Sequence, residues 1–233
     1  MTTRFLSIAG VCSLVQSGLY IIAVGSLACT PFWEMLGQGD ANAVKIFLGA
    51  YSANPLPVTL MSLAFILLGF LGFTAVAPAT AAYLGKEDSG WLMTGRNIGM
   101  LCLAVMTVYY AWFLVTLPEI AAFYRGLEGG SPSLPGFLIP FRQPSSLISW
   151  FMFFGMGIWV LAVGFTAYTH RVLPGSFLFV CLIKVMGFWA AHAGLIFQSR
   201  MLILIGAVTG GLIGGPIYHL WLGRVMRREV LDA

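Results

Sequence analysis

Six long apolar runs, separated by short polar or proline-rich stretches, organise this chain: Phe5–Cys29, Val58–Tyr83, Leu92–Thr116, Ile148–Thr169, Ser176–Phe197 and Met201–Leu222. Each reaches or exceeds the roughly 20 residues that a helix needs to cross a bilayer. Positions of both parities are apolar within each run, which excludes the alternating ten-residue segments of a membrane barrel. A helix is the only open element that bonds all its own amides in hydrocarbon. The pattern therefore predicts an all-α, polytopic transmembrane bundle of six spans, one domain over residues 1–233. The first run follows a single Arg4 and superficially resembles a secretory signal. It is longer than the roughly 7–15 residues of a signal core, so it reads as a first span.

Basic residues set the expected orientation. With the N-terminus inside, the inner side holds Arg4, Lys86, Arg96, Arg171, Arg224, Arg227 and Arg228, against Lys45, Arg125, Arg142 and Arg200 outside. That excess places both termini in the cytoplasm. Two outer connections are long. Residues 30–57 contain Pro31-Phe32-Trp33-Glu34, a short amphipathic stretch from Ala43 to Tyr51, and Asn54-Pro55-Leu56-Pro57, and read as an interfacial loop. Residues 117–147 carry Pro118, Pro132, Pro135, Pro140 and Pro144, a density that forbids a further spanning helix and predicts an ordered interfacial loop, with a cap over the outer mouth or a partner-binding segment as the alternatives.

Composition removes other classes. Apolar residues make up 59% of the chain and charged residues 9%, against about 25% charged in soluble domains. Mean hydropathy is +0.92. The net charge of +4 sits between apolar runs, so it reflects membrane topology and excludes a nucleic-acid face. Cys12, Cys29, Cys102 and Cys181 fall within or at the ends of apolar runs without metal-binding spacing, and read as small core residues. Gly72-Phe73-Thr74-Ala75 recurs as Gly164-Phe165-Thr166-Ala167, a match among common residues more economical as coincidence than as duplication.

Lys184 is the sharpest chemical signal. It lies about 12 Å into the fifth run, near the midplane, where a charge costs at least about 2.5–3.5 kcal/mol. Either it faces a polar cavity and binds an anionic or carbonyl group, or it snorkels toward the cytoplasm or sits uncharged. None of the eight acids, Glu34, Asp40, Glu87, Asp88, Glu119, Glu128, Glu229 and Asp232, lies within the interior of a run to pair with it. This disfavours a retinal-type Schiff base, carboxylate-driven coupling and a diiron carboxylate centre. Three other residues are candidate ligand contacts. Glu119 ends the third run; Arg96 is placed to pair with Glu87 or Asp88 or to hold a lipid phosphate; His192 is a single available axial ligand for a haem or chlorin. His170 and His219 read as interfacial residues, with a shared metal between them a weaker alternative, and no metal site is assigned. No cofactor is assigned either. Gly206, Gly210 and Gly214 recur every four residues, with Ala207, Gly211 and Gly215 one position on: two small-residue seams for close helix packing. Pro216 follows as an expected kink, and Tyr218, His219, Trp221 and Arg224 as an expected interfacial belt.

The ending Gly214-Gly215-Pro216-Ile217-Tyr218-His219-Leu220-Trp221-Leu222-Gly223-Arg224, with the opening Arg4-Phe5-Leu6-Ser7-Ile8-Ala9-Gly10, resembles uncharacterised bacterial six-helix membrane proteins grouped as a domain of unknown function. The resemblance implies a bacterial cytoplasmic membrane and transfers no activity or catalytic residue. The leading functional reading is a protein that binds a lipid-like or aromatic ligand, or an accessory subunit of a larger membrane complex. Its expected partners are membrane lipids, and other membrane subunits or a second copy, but not nucleic acid. The alternatives are a small-molecule or anion transporter with Lys184 lining the path, and an intramembrane enzyme on a lipid or terpenoid using Lys184, His192 or Glu119. Lys184 and His192 stand two turns apart on one helix, so no catalytic pair is visible, and whether the protein is an enzyme stays open at this level.

Overall fold

The computed structural model describes residues 3–36, 38, 40–85, 90–125 and 149–231. These are all-helical, with six helices long and apolar enough to cross a membrane. Span 1 is Arg4–Ala28, span 2 Leu56–Tyr83, span 3 Gly90–Arg125, span 4 Trp150–Thr169, span 5 Gly175–Ile196 and span 6 Arg200–Arg228. The boundaries follow the bilayer-length logic of the sequence, with two extensions. Span 3 continues through Pro118 to Arg125, so residues 117–125 are helix and not loop. A proline inside a helix removes one amide bond, which membrane helices tolerate where neighbouring groups compensate. The α-helix that ends span 6 runs on to Leu231, nine residues past the expected end at Leu222. The rest of the proline-rich segment, 126–148, lies outside the described residues, as do Glu87 and Asp88.

Residues 30–57 are mostly helical. Helices Phe32–Met35 and Asp40–Ala53 fill the connection, and Leu56 and Pro57 already belong to span 2. The longer helix is not merely interfacial. Ala43, Val44, Phe47 and Leu48 are buried, and the Phe47 ring lies 6.1 Å from that of Phe113 on span 3. Arg200 closes this end by donating from Nη2 to the Leu36 carbonyl at 3.1 Å.

Each span packs on its neighbours in sequence, and span 6 returns to pack on span 1. The six helices therefore form a closed ring around a central space. Small residues allow the close approaches. A Cβ on Gly69 would lie 2.6 Å from the Leu103 carbonyl oxygen of span 3, and one on Gly95 would lie 2.5 Å from Ala162 of span 4. A Cβ on Gly164 would lie 2.8 Å from Cys181 of span 5, and one on Gly223 2.7 Å from the Gly10 carbonyl oxygen of span 1.

Among the described residues, three π-helical stretches interrupt the α-helical spans: Gly72–Val76 in span 2, Trp150–Gly155 opening span 4, and Ala207–Gly214 in span 6. Two of them end two residues before a proline, Pro78 and Pro216. A proline ring clashes with the carbonyl four residues back, and a wider turn relieves that clash. The expected kink at Pro216 is thus a two-turn π segment ahead of it. The tetrapeptide shared by spans 2 and 4 adopts different helices, π at Gly72 and α at Gly164, and so marks no structural repeat.

Candidate functional site: a lysine inside the ring

Lys184 is completely buried and does not snorkel. Span 5 directs its Nζ to 3.1 Å from Nε2 of His219 on span 6. Aromatic faces surround the amine. Nζ lies 4.1 Å from the Tyr218 ring centroid, 4.8 Å from Tyr20 and 5.6 Å from Phe188, within the roughly 6 Å reach of a cation–π attraction. No carboxylate among the described residues lies within ion-pair distance of it.

Span 1 completes the arrangement. The Ser13 hydroxyl donates to the His219 carbonyl at 2.9 Å and lies 3.3 Å from ring Nδ1, while Tyr20 stacks on the imidazole at 5.3 Å. These contacts hold the His219 ring with Nε2 toward Lys184. Gln16, one turn on from Ser13, donates through Nε2 to the Leu68 carbonyl at 2.7 Å and leaves Oε1 buried without a partner. The Tyr218 hydroxyl is likewise buried and unpaired. Unmatched polar atoms in an apolar interior each cost about 1–3 kcal/mol, so water or a ligand is expected to meet them.

These groups line one cavity of about 50 Å³ at the centre of the ring, room for several waters at ~10–15 Å³ each. Gln16, Tyr20, Lys184, Tyr218 and His219 form its polar side; Met106, Met152, Met156 and Trp159 are among those opposite. A second cavity of about 70 Å³ adjoins it, lined by Val24, Leu27, Leu195, Ile203, Ala207 and Gly211 among others. Tyr20, Phe65, Phe153 and Phe188 line both, and so form the wall between them.

Of the four ligand candidates read from sequence, only Lys184 reaches this site. Glu119 is exposed on span 3. Arg96 is half-buried near the start of that span, its Nη2 3.4 Å from Oδ1 of adjacent Asn97. His192 is buried on span 5 against span 4, its ring 4.4 Å from Trp150 and 6.2 Å from Phe154, with both ring nitrogens unpaired. The expected interfacial belt is corrected at two positions: Tyr218 and His219 are core residues, because the helix continues beyond Leu222 and carries them inward. His170 is exposed at the end of span 4, whereas His219 is buried within the ring. No group of three or more His, Cys, Asp or Glu suited to a metal occurs among the described residues.

Sequence reasoning missed His219, Ser13, Gln16 and Tyr20 as one group, although their spacing carried a hint. Ser13, Gln16 and Tyr20 stand three and four residues apart, which puts them on one face of the helix. The glycine seams divide between two neighbours. Gly206, Gly210 and Gly214 face span 5, where a Cβ on Gly214 would lie 2.8 Å from the Lys184 Cα; Gly211 and Gly215 face Val24 and Tyr20 of span 1. They draw spans 5 and 1 against span 6 and thereby bring Lys184, His219 and Tyr20 together. Comparison with protein-family models, with curated proteins and with solved structures finds no match for this chain.

Proposed function

We propose that this ring of helices binds a small amphipathic molecule within the membrane, its polar head held by Lys184 beside His219 and Gln16. One observation carries the reading: a fully buried lysine faces a cavity that supplies no carboxylate among the described residues. A buried cation without a counter-ion is costly, and a ligand that brings the acceptor removes that cost. Aromatic and methionine walls suit an apolar remainder. In this reading the protein resides in the cytoplasmic membrane of a bacterium with both termini inside, as its basic residues and its resemblance imply.

The test is native mass spectrometry of the protein released from its own membrane, wild type beside Lys184→Leu. The wild type is expected to carry a small amphipathic molecule that the folded variant lacks. The same bound species on a folded Lys184→Leu protein would overturn the proposal, as would a wild type that holds nothing.

A further inference from the structure

We propose that the ligand is a single-chain monocarboxylate, with its carboxylate at Lys184 and its hydrocarbon chain passing the aromatic wall into the second cavity. This rests on the head-group site proposed above and adds the class of ligand and the route of its tail.

The head follows from charge and room. One lysine provides one positive charge, matched by a singly charged anion. The donors available on the cavity wall are few: Lys184 Nζ and the tyrosine hydroxyls of Tyr20 and Tyr218, since His219 Nε2 accepts from Lys184 and its Nδ1 faces Ser13. A planar carboxylate with two acceptor oxygens fits that number, whereas a phosphate group, with more acceptor oxygens and up to two charges, needs more donors than this wall supplies. A water within the same cavity can donate to Gln16 Oε1.

The tail follows from the second cavity. Apart from Tyr20 its lining is wholly apolar, and it is separated from Lys184 only by the rings of Tyr20, Phe65, Phe153 and Phe188. In this proposal the tail passes between the cavities where Phe153 and Phe188, which line both, rotate about their side-chain bonds. Beyond the rings the space is bounded by Ala207 and Gly211 in the π-helical stretch of span 6 and by Val24 and Leu27 of span 1. A free alkyl chain already lies in hydrocarbon, so burial alone gives it no preference for the protein. Steric fit in the second cavity then decides which chain lengths are accepted.

The experiment uses the full chain in lipid nanodiscs, titrated with hexanoate and dodecanoate and read by native mass spectrometry. Wild type, Lys184→Gln, Ala207→Leu and Leu27→Trp are compared, each first shown to be folded by circular dichroism. The expected result is that Lys184→Gln loses both ligands. Ala207→Leu and Leu27→Trp lose dodecanoate by about tenfold or more, the effect of overfilling a packed site, and keep hexanoate within about twofold. If both cavity variants bind dodecanoate as the wild type does while Lys184→Gln loses it, the tail route is wrong and the head-group site stands. If Lys184→Gln binds both ligands normally, the head-group site itself fails. Binding of neither carboxylate by the wild type overturns the assignment of ligand class.

Discussion

Replacing Gly187 with alanine tests whether the ring is held by backbone contact between spans 5 and 6. A Cβ at Gly187 would press on the backbone nitrogen and Cα of Gly210, atoms that cannot rotate aside. Carbon atoms rest about 3.5–4.0 Å apart, so the spans must part by roughly 1 Å. At the reciprocal position the demand is smaller, since a Cβ on Gly210 would sit 3.1 Å from Gly187 Cα. Overpacking of this kind costs about 1–3 kcal/mol; Gly187→Ala belongs at the upper end and Gly210→Ala near 1 kcal/mol. A loss of about 3 kcal/mol lowers the folded-to-unfolded ratio roughly 160-fold, against about fivefold for 1 kcal/mol. Gly18→Ala on span 1 is the control, because its added carbon meets nothing within 4 Å, and the better helix propensity of alanine leaves it neutral or slightly stabilising. The double variant Gly187→Ala/Gly210→Ala is expected to cost less than the sum, since one separation of the spans accommodates both carbons. Reversible unfolding in mixed micelles, followed by circular dichroism against the mole fraction of dodecyl sulfate, measures all four. Equal midpoints for Gly187→Ala and Gly18→Ala would refute the packing argument.

Three further outcomes are expected. Ser13→Ala removes the hydroxyl that meets both the carbonyl and the ring of His219, so it should cost about 0.6–1 kcal/mol in the same unfolding assay and weaken ligand binding more than that loss implies, because the imidazole is freed. Arg171, at φ 54° after span 4, occupies the left-handed region favoured by glycine; Arg171→Gly should raise stability by about 1 kcal/mol, and an unchanged midpoint would speak against strain there. Cys29, expected in the core, is exposed because it lies just past the end of span 1, and it should react first with a membrane-impermeant maleimide applied to intact cells, while buried Cys102 and Cys181 react only after unfolding; labelling of Cys29 only in inverted vesicles would reverse the proposed orientation.

The positions of the spans were legible because crossing a bilayer is a one-dimensional demand, and a run of apolar residues answers it directly. Lys184 was legible for the same reason: a charge amid such a run stands out. The partnership with His219 was not, because it depends on which spans become neighbours and how each is rotated. His219 also sits close to Trp221 and Arg224, residues typical of an interface, and only the continuation of the helix to Leu231 places it in the core. The length of span 3 escaped notice because Pro118 reads as a breaker, yet a membrane helix carries it. Glu119 and Arg96 drew attention by charge alone, and charge near a helix end is compatible with lipid headgroups as readily as with a site.

The closure of span 6 on span 1 sets an order for biogenesis. Spans leave the ribosome in sequence, so Lys184 emerges ahead of His219, 35 residues behind it. At about 5–20 residues per second that interval is about 2–7 seconds. During it the amine lacks the imidazole, and the ring stays open between its first and last helices. Such a nascent intermediate, with a solitary membrane-embedded cation and an unsealed seam, is the stage at which a membrane chaperone or the insertion machinery has most reason to hold this chain.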